Sequence, residues 1–194
     1  LQGRVAGSHL TSMHSMDNYY VSKLLPLIAE SGVAAIANPL INITLQGRHD
    51  TYPKRRGMTR VPELLAAGLT VALGHDCVLD PWYSLGSGDA LDVAHMGLHV
   101  AQMTSRAGMQ QCFDAITCHP AQLLGLEGYG IATGCHADFV LLHAQDTVEA
   151  LRLRATRLGV WRRGQRIATT PAPVAALQLP GRPSHTTLLH QGLR

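Results

Sequence analysis

Asp76 is the residue of this chain best placed to do chemistry. It follows the apolar run Leu69-Thr70-Val71-Ala72-Leu73 and the pair Gly74-His75. A carboxylate where a strand opens into a loop can ligate a metal or carry a proton; one held for structure alone needs a partner to offset its burial. His9 ends a second short strand, Arg4 to Ser8, and Asn38-Pro39 ends a third, Val33 to Ala37. Other ionisable groups point to less. His95 and His99 are spaced i, i+4 but lack the intervening Glu of a helical zinc pair, so they read as packing or solvated residues. Cys77, Cys112, Cys118 and Cys135 form no C-x-x-C. Cys118-His119 and Cys135-His136 do not repeat as structural zinc sites do, so the four read as reduced thiols of a cytoplasmic protein.

The elements that must position Asp76 and His9 alternate. Between the first two strands Val21, Leu24, Leu25 and Ile28 recur at i, i+3, i+4 and i+7, one face of a helix. Ser15 or Asp17 can cap it, Gly32 can close it, and Pro26 is expected to kink or shorten it. Residues 38–58 read as a long loop. Thr59 is the expected cap of a short helix with Pro62 in its first turn and Gly68 as its stop. Helices are expected from Gly88 to Met103 and from Met109 to Leu126. Strands alternating with helices imply parallel pairing, and all three strands end in polar residues. In a parallel α/β barrel that end carries the chemistry. Past Leu126 the pattern changes to short β segments around Gly turns, Gly130 to Leu142 and Val160 to Ala168, followed by a Pro-rich tail.

The chain has 194 residues, 46% hydrophobic and 15% charged, which suits a globular domain and excludes a disordered one. A net charge of +3 gives little basis for a nucleic-acid partner. Lys54-Arg55-Arg56 has no aromatic platform or second basic stripe beside it and reads as a solvated run. No apolar run approaches a membrane span, and Leu1-Gln2-Gly3-Arg4 does not read as a signal peptide.

Several segments together resemble the amidohydrolase superfamily, and within it the bacterial cytosine deaminases: Ser8-His9-Leu10-Thr11-Ser12-Met13-His14-Ser15, Ala37-Asn38-Pro39-Leu40, Leu45-Gln46-Gly47-Arg48, Asp50 to Gly57, Gly74-His75-Asp76, Asp80-Pro81-Trp82-Tyr83 and His95 to Val100. The resemblance runs from about Gly3 to Thr170. It implies an α/β chain: the C-terminal part of a (β/α)8 barrel, strands six to eight, with part of a small β-sandwich. The implied division is 1–128 barrel, 129–170 sandwich segment and 171–194 extended or poorly ordered tail. No H-x-H and no H-x-x-E occurs in the sequence, so the family's other metal ligands and its proton-donating Glu are missing. The expectation is a missing N-terminal half, with a possible homo-oligomer; the alternative is a truncated, non-catalytic product. The chain alone is expected to bind metal poorly and turn over nothing.

The resemblance implies hydrolytic deamination of cytosine or a related amino-azaheterocycle, a small-molecule substrate, with one divalent metal, iron(II) or zinc. Asp76 would ligate the metal and move the water's proton. His9 would hydrogen-bond the attacking oxygen. Trp82 would stack on the ring, or else pack beneath its own loop, and His75 would orient Asp76 or sit in the core. Cys77 stands where the family has a second Asp facing the substrate. A small thiol in place of a charged acceptor points to a relative of cytosine such as isocytosine or a 5-substituted ring. Hydrolysis of a different ring C–N bond is the other enzymatic reading. The second zinc deaminase family is excluded, since neither H-x-E nor P-C-x-x-C is present.

Overall fold

The computed structural model describes residues 3–186. The chain divides into two compact units, Leu1–Glu127 and Gly128–Arg194. The first is built on three parallel strands in the order β1 (Ala6–Ser8), β2 (Ala34–Ala37) and β3 (Val71–Leu73). Ser8 lies opposite Ile36, and Ala37 opposite Leu73, so the three C-terminal ends are flush to within one residue. Ala35, Ala37, Val71 and Ala72 are buried, as expected of strands covered on both faces. The outer side of β3 is occupied: Leu73 N–H donates to the Ala115 carbonyl at 2.8 Å, and His119 Nδ1 lies 2.7 Å from the Val71 carbonyl.

Helix α1 (Asn18–Ser31) starts at Asp17, whose carboxylate accepts from Tyr20 N–H at 2.9 Å, and is closed by Gly32. It runs past Pro26 to Ser31, so the proline does not shorten it. The expected loop at 38–58 instead begins with a helix, α2 (Pro39–Leu45). Pro39 stands at its first position, where the missing N–H has no intrahelical role and the fixed φ is already helical. The rest of that segment is pinned by Arg55. Its Nε and Nη2 donate to Asp50 at 2.6 and 2.5 Å, and its Nη1 to Ser15 Oγ at 2.9 Å. Those bonds hold the Asp50 carboxyl down at about 2.

Helix α3 (Val61–Ala66) is capped by Arg60, not Thr59. The Thr59 hydroxyl is turned inward onto Met13 Sδ at 3.1 Å, while the Arg60 guanidinium donates to the carbonyls of Met13 and Met16. The segment expected as one helix from Gly88 is α4 (Ala90–Val100), capped by Asp89. The next expected helix is two, α5 (Arg106–Asp114) and α6 (Cys118–Leu123). Helix α4 ends with Met103 N–H reaching back to the Leu98 carbonyl and Gln102 N–H to His99, with Gln102 at φ 57. That is a left-handed helix stop usually made by glycine. Helices α2 and α5 both pack on α4, and Ile41, Leu64, Val93 and Leu98 fill the core.

The second unit is one antiparallel layer, β4 (Phe139–Leu142), β5 (Arg157–Arg162) and β6 (Gln165–Thr169), with α7 (Thr147–Leu153) between its first two strands. Gly130 to Gly134 forms bends and turns, and the β segment that follows is Phe139–Leu142. Strands β5 and β6 are joined by Arg163-Gly164, both at positive φ, the two-residue turn whose twist suits a hairpin. The tail contains one further pair, β7 (Ala175–Ala176) with β8 (His185–Thr186). The expectation for 187–194 lies outside the described residues. No helix among the described residues is long and apolar enough to cross a membrane.

Candidate active site

His9, Asn38 and Asp76 each follow the end of one strand, so the flush register of the sheet delivers them to one rim. His9 Nε2 lies 3.3 Å from Asp76 Oδ2, with the two side chains 42% and 35% exposed. Both groups therefore remain open to a ligand while touching each other. Their backbones are unusual in the same way: His9 at φ 67, Leu10 at φ 49 and Asp76 at φ 64 all lie in the left-handed region. Non-glycine residues there are uncommon, and such conformations persist where surrounding structure imposes them, often at functional sites. Each turns the chain sharply off its strand, so the side chain stays at the rim.

Behind His9 stand two buried asparagines. Asn42 Nδ2 is 2.9 Å and Asn38 Nδ2 3.3 Å from His9 Nδ1. Asn38 Nδ2 also lies 3.3 Å from Ser8 Oγ, and Asn38 N–H donates to Asn42 Oδ1 at 3.1 Å. Asn38 and Asn42 are only 3% and 2% exposed, so no water competes for their amides. Sequence reading places Asn38 at a strand end without giving it a role, and misses Asn42 because it takes α2 for a loop. The available signal was Pro39 preceded by Asn, an N1 proline behind a capping-type residue.

The loop after Asp76 carries the other expected site residues. Cys77 Sγ sits 3.8 Å from Asp76 Oδ1. Its thiol is pushed up to about 11, chiefly by its hydrogen bond with Asp80 and then by desolvation and the Asp76 charge. Cys77 thus presents a neutral S–H at physiological pH, not a nucleophilic thiolate. Trp82 donates its backbone N–H to Asp80 Oδ1 at 2.9 Å, and its side chain is free of the core, at 71% exposed. His75 does not reach Asp76. Its Nδ1 lies 2.8 Å from the Cys77 carbonyl and its ring meets Tyr83 edge-on, so it fastens the loop. His95 and His99 meet each other on α4 with their rings tilted at 58° and 4.6 Å between centroids.

Asp76 suits a divalent cation as one anionic oxygen ligand. Among the described residues, no group of three or more His, Cys, Asp or Glu side chains converges to hold a metal ion. One carboxylate is a partial ligand set.

Comparison with known proteins gives this rim a context. The chain is 31% identical over 165 residues to a pterin deaminase of Rhizobium rhizogenes, covering 84% of this chain and 37% of that protein. It superposes with a TM-score of 0.86, at 40% identity, on the 5-methylcytosine deaminase of Klebsiella pneumoniae liganded with phosphonocytosine, covering 90% of this chain and 43% of that one. The N-isopropylammelide isopropylaminohydrolase of Burkholderia multivorans gives a TM-score of 0.74 at 27% identity, over 87% of this chain and 40% of that one. The chain thus spans about two-fifths of the length of these relatives. Their barrel-type α/β architecture contains this one as a C-terminal part. Residues 1–168 match the amidohydrolase family Amidohydro_3, and the chain belongs to that family.

Proposed function

We propose that this chain is the C-terminal portion of a hydrolase that deaminates an amino-pyrimidine, with a 5-substituted cytosine favoured over cytosine itself. The observation that carries the reading is the meeting of His9 Nε2 and Asp76 Oδ2 at 3.3 Å on the rim of a parallel sheet. The reaction adds water across the ring carbon that bears the amino group and releases ammonia. Asp76 takes the water's proton and hands it to the departing nitrogen, the work of a positioned carboxylate base. His9 hydrogen-bonds the attacking oxygen and steadies the charge that gathers there. Trp82 offers a flat face to the ring. The neutral Cys77 leaves room and no charge beside the ring's substituent, in keeping with the 5-methylcytosine deaminase among the solved relatives.

A divalent cation, iron(II) or zinc, supplies when bound a water acidic enough to ionise near neutral pH. Asp76 is its ligand from this chain, and the remaining ligands belong to the N-terminal portion that the relatives contain. Joining that portion also covers the outer edge of β1, and self-association is part of the same reading, as is a cytoplasmic location. A second reading, hydrolysis of a different ring C–N bond, has the N-isopropylammelide enzyme's 27% identity in its favour.

The test is ammonia release by the whole enzyme, depleted of metal and reloaded with iron(II) or zinc, on cytosine, 5-methylcytosine, 5-fluorocytosine and isocytosine. The 5-substituted rings should turn over fastest. Cys77→Asp should move the preference toward cytosine by about 10-fold or more, the range one methyl group commands in a fitted pocket. Plain cytosine as the best wild-type substrate removes the specificity argument, and ammonia from none of the rings removes the reading.

A further inference from the structure

We propose that Asn42, assisted by Asn38, is a positioning residue that holds His9 as the tautomer with its proton on Nε2. The inference deepens the reading of His9 as the group facing the attacking oxygen, and rests on it. The chain of reasoning starts from a backbone group. Asn38 N–H donates to Asn42 Oδ1 at 3.1 Å, which fixes which end of the Asn42 amide is oxygen. Its other end, Nδ2, is therefore the donor, and it points at His9 Nδ1 from 2.9 Å. Asn38 Nδ2 approaches the same ring nitrogen at 3.3 Å. A nitrogen faced by amide N–H groups serves as an acceptor, so Nδ1 carries the lone pair and Nε2 carries the proton.

That assignment agrees with the far side of the ring. Nε2 lies 3.3 Å from Asp76 Oδ2. A proton there meets a carboxylate; the other tautomer would set one lone pair against another. Seen from the substrate, His9 is then a hydrogen-bond donor and Asp76 the only proton acceptor of the pair. The labour is divided by two asparagines that touch no substrate. Ring orientation fixed from behind is a recurrent means of tuning a site, and losing such a partner typically lowers activity 10- to 100-fold.

The test uses the whole enzyme with ¹⁵N-labelled histidine and a long-range ¹H–¹⁵N spectrum. His9, assigned by its loss in His9→Gln, should show a protonated Nε2 and a bare Nδ1. Asn42→Asp keeps an acceptor for Asn38 N–H but puts an acceptor in place of the donor. It should put a proton on Nδ1 and lower kcat about 10- to 100-fold with KM little changed. A wild-type His9 protonated at Nδ1 overturns the proposal, and needs no variant to fold. So does Asn42→Asp with Nδ1 still bare, whatever its rate, or with a protonated Nδ1 and wild-type kcat. If the enzyme releases ammonia from no ring, the deaminase reading falls, while the nitrogen spectrum still decides this one.

Discussion

Gly74→Ala should damage the site without touching any residue that meets substrate. Gly74 links β3 to Asp76, and its N–H completes the sheet by donating to the Ala37 carbonyl at 2.9 Å. A Cβ built on it would lie 2.5 Å from Asn38 Oδ1 and 3.5 Å from Ile36 Cγ2. A carbon and an amide oxygen settle no closer than about 3.3 Å, so Asn38 must retreat by most of an ångström. It cannot do so freely. Asn38 is buried, its backbone is tied to Asn42, and its amide lies between Ser8 and His9. Overpacking of this kind costs about 1–3 kcal/mol. We expect the urea midpoint of the whole enzyme to fall by that equivalent with an unchanged slope. The kcat of the proposed deamination should fall about 10-fold or more, because displacing Asn38 loosens the hold on His9. The same substitution at Gly68, where an added Cβ meets nothing within 4 Å, separates crowding from strain. Gly68 sits at φ 81, so alanine there is strained but touches no site residue. Wild-type stability and wild-type kcat in Gly74→Ala would refute the reasoning, since they would mean that Asn38 is not held where its contacts place it.

Two further outcomes follow from the surface of the first unit. Gln102→Gly, at φ 57 in the stop of α4, relieves a left-handed non-glycine backbone and should raise unfolding free energy by about 1 kcal/mol in urea titration. Asp50→Asn removes a carboxylate whose folded pKa is lowered to about 2 by its hydrogen bonds with Arg55. A depressed acid stabilises above its unfolded value, 3.8, and loses that contribution as pH falls through about 2. The wild-type advantage over the Asp50→Asn variant should therefore be constant from neutrality to about pH 4 and close below it, read from denaturation midpoints across that range.

What the sequence disclosed depended on whether local signals were unopposed. The strands at 34–37 and 71–73 are short apolar runs before a polar break, and nothing competes with that reading. Asp17 and Gly32 bound α1 as their types suggest. Thr59 has the type of a cap but is turned inward by Met13, a tertiary partner that local pattern does not reveal. Pro39 lies in a segment, 38–58, whose composition reads as loop, yet it is the first residue of α2, and the helix it starts is what brings Asn42 to the site. Helix α7 escaped notice because its seven residues are too few to show a period, although Asp146 caps it. The shared rim of positions 9 and 76 is legible from strands that alternate with helices and end in polar residues, and family likeness adds the roles; the contact itself follows from no local rule, since the two residues are far apart in the chain.

The left-handed backbone at His9, Leu10 and Asp76 also shapes how this chain can be redesigned. A saturation library at those codons will not sample all side chains evenly. Valine, isoleucine and threonine will be depleted by folding before any chemistry is scored, while asparagine, aspartate and glycine will survive. Apparent intolerance at these positions will mix two filters, and only a parallel screen for soluble protein can tell a lost catalyst from a lost turn.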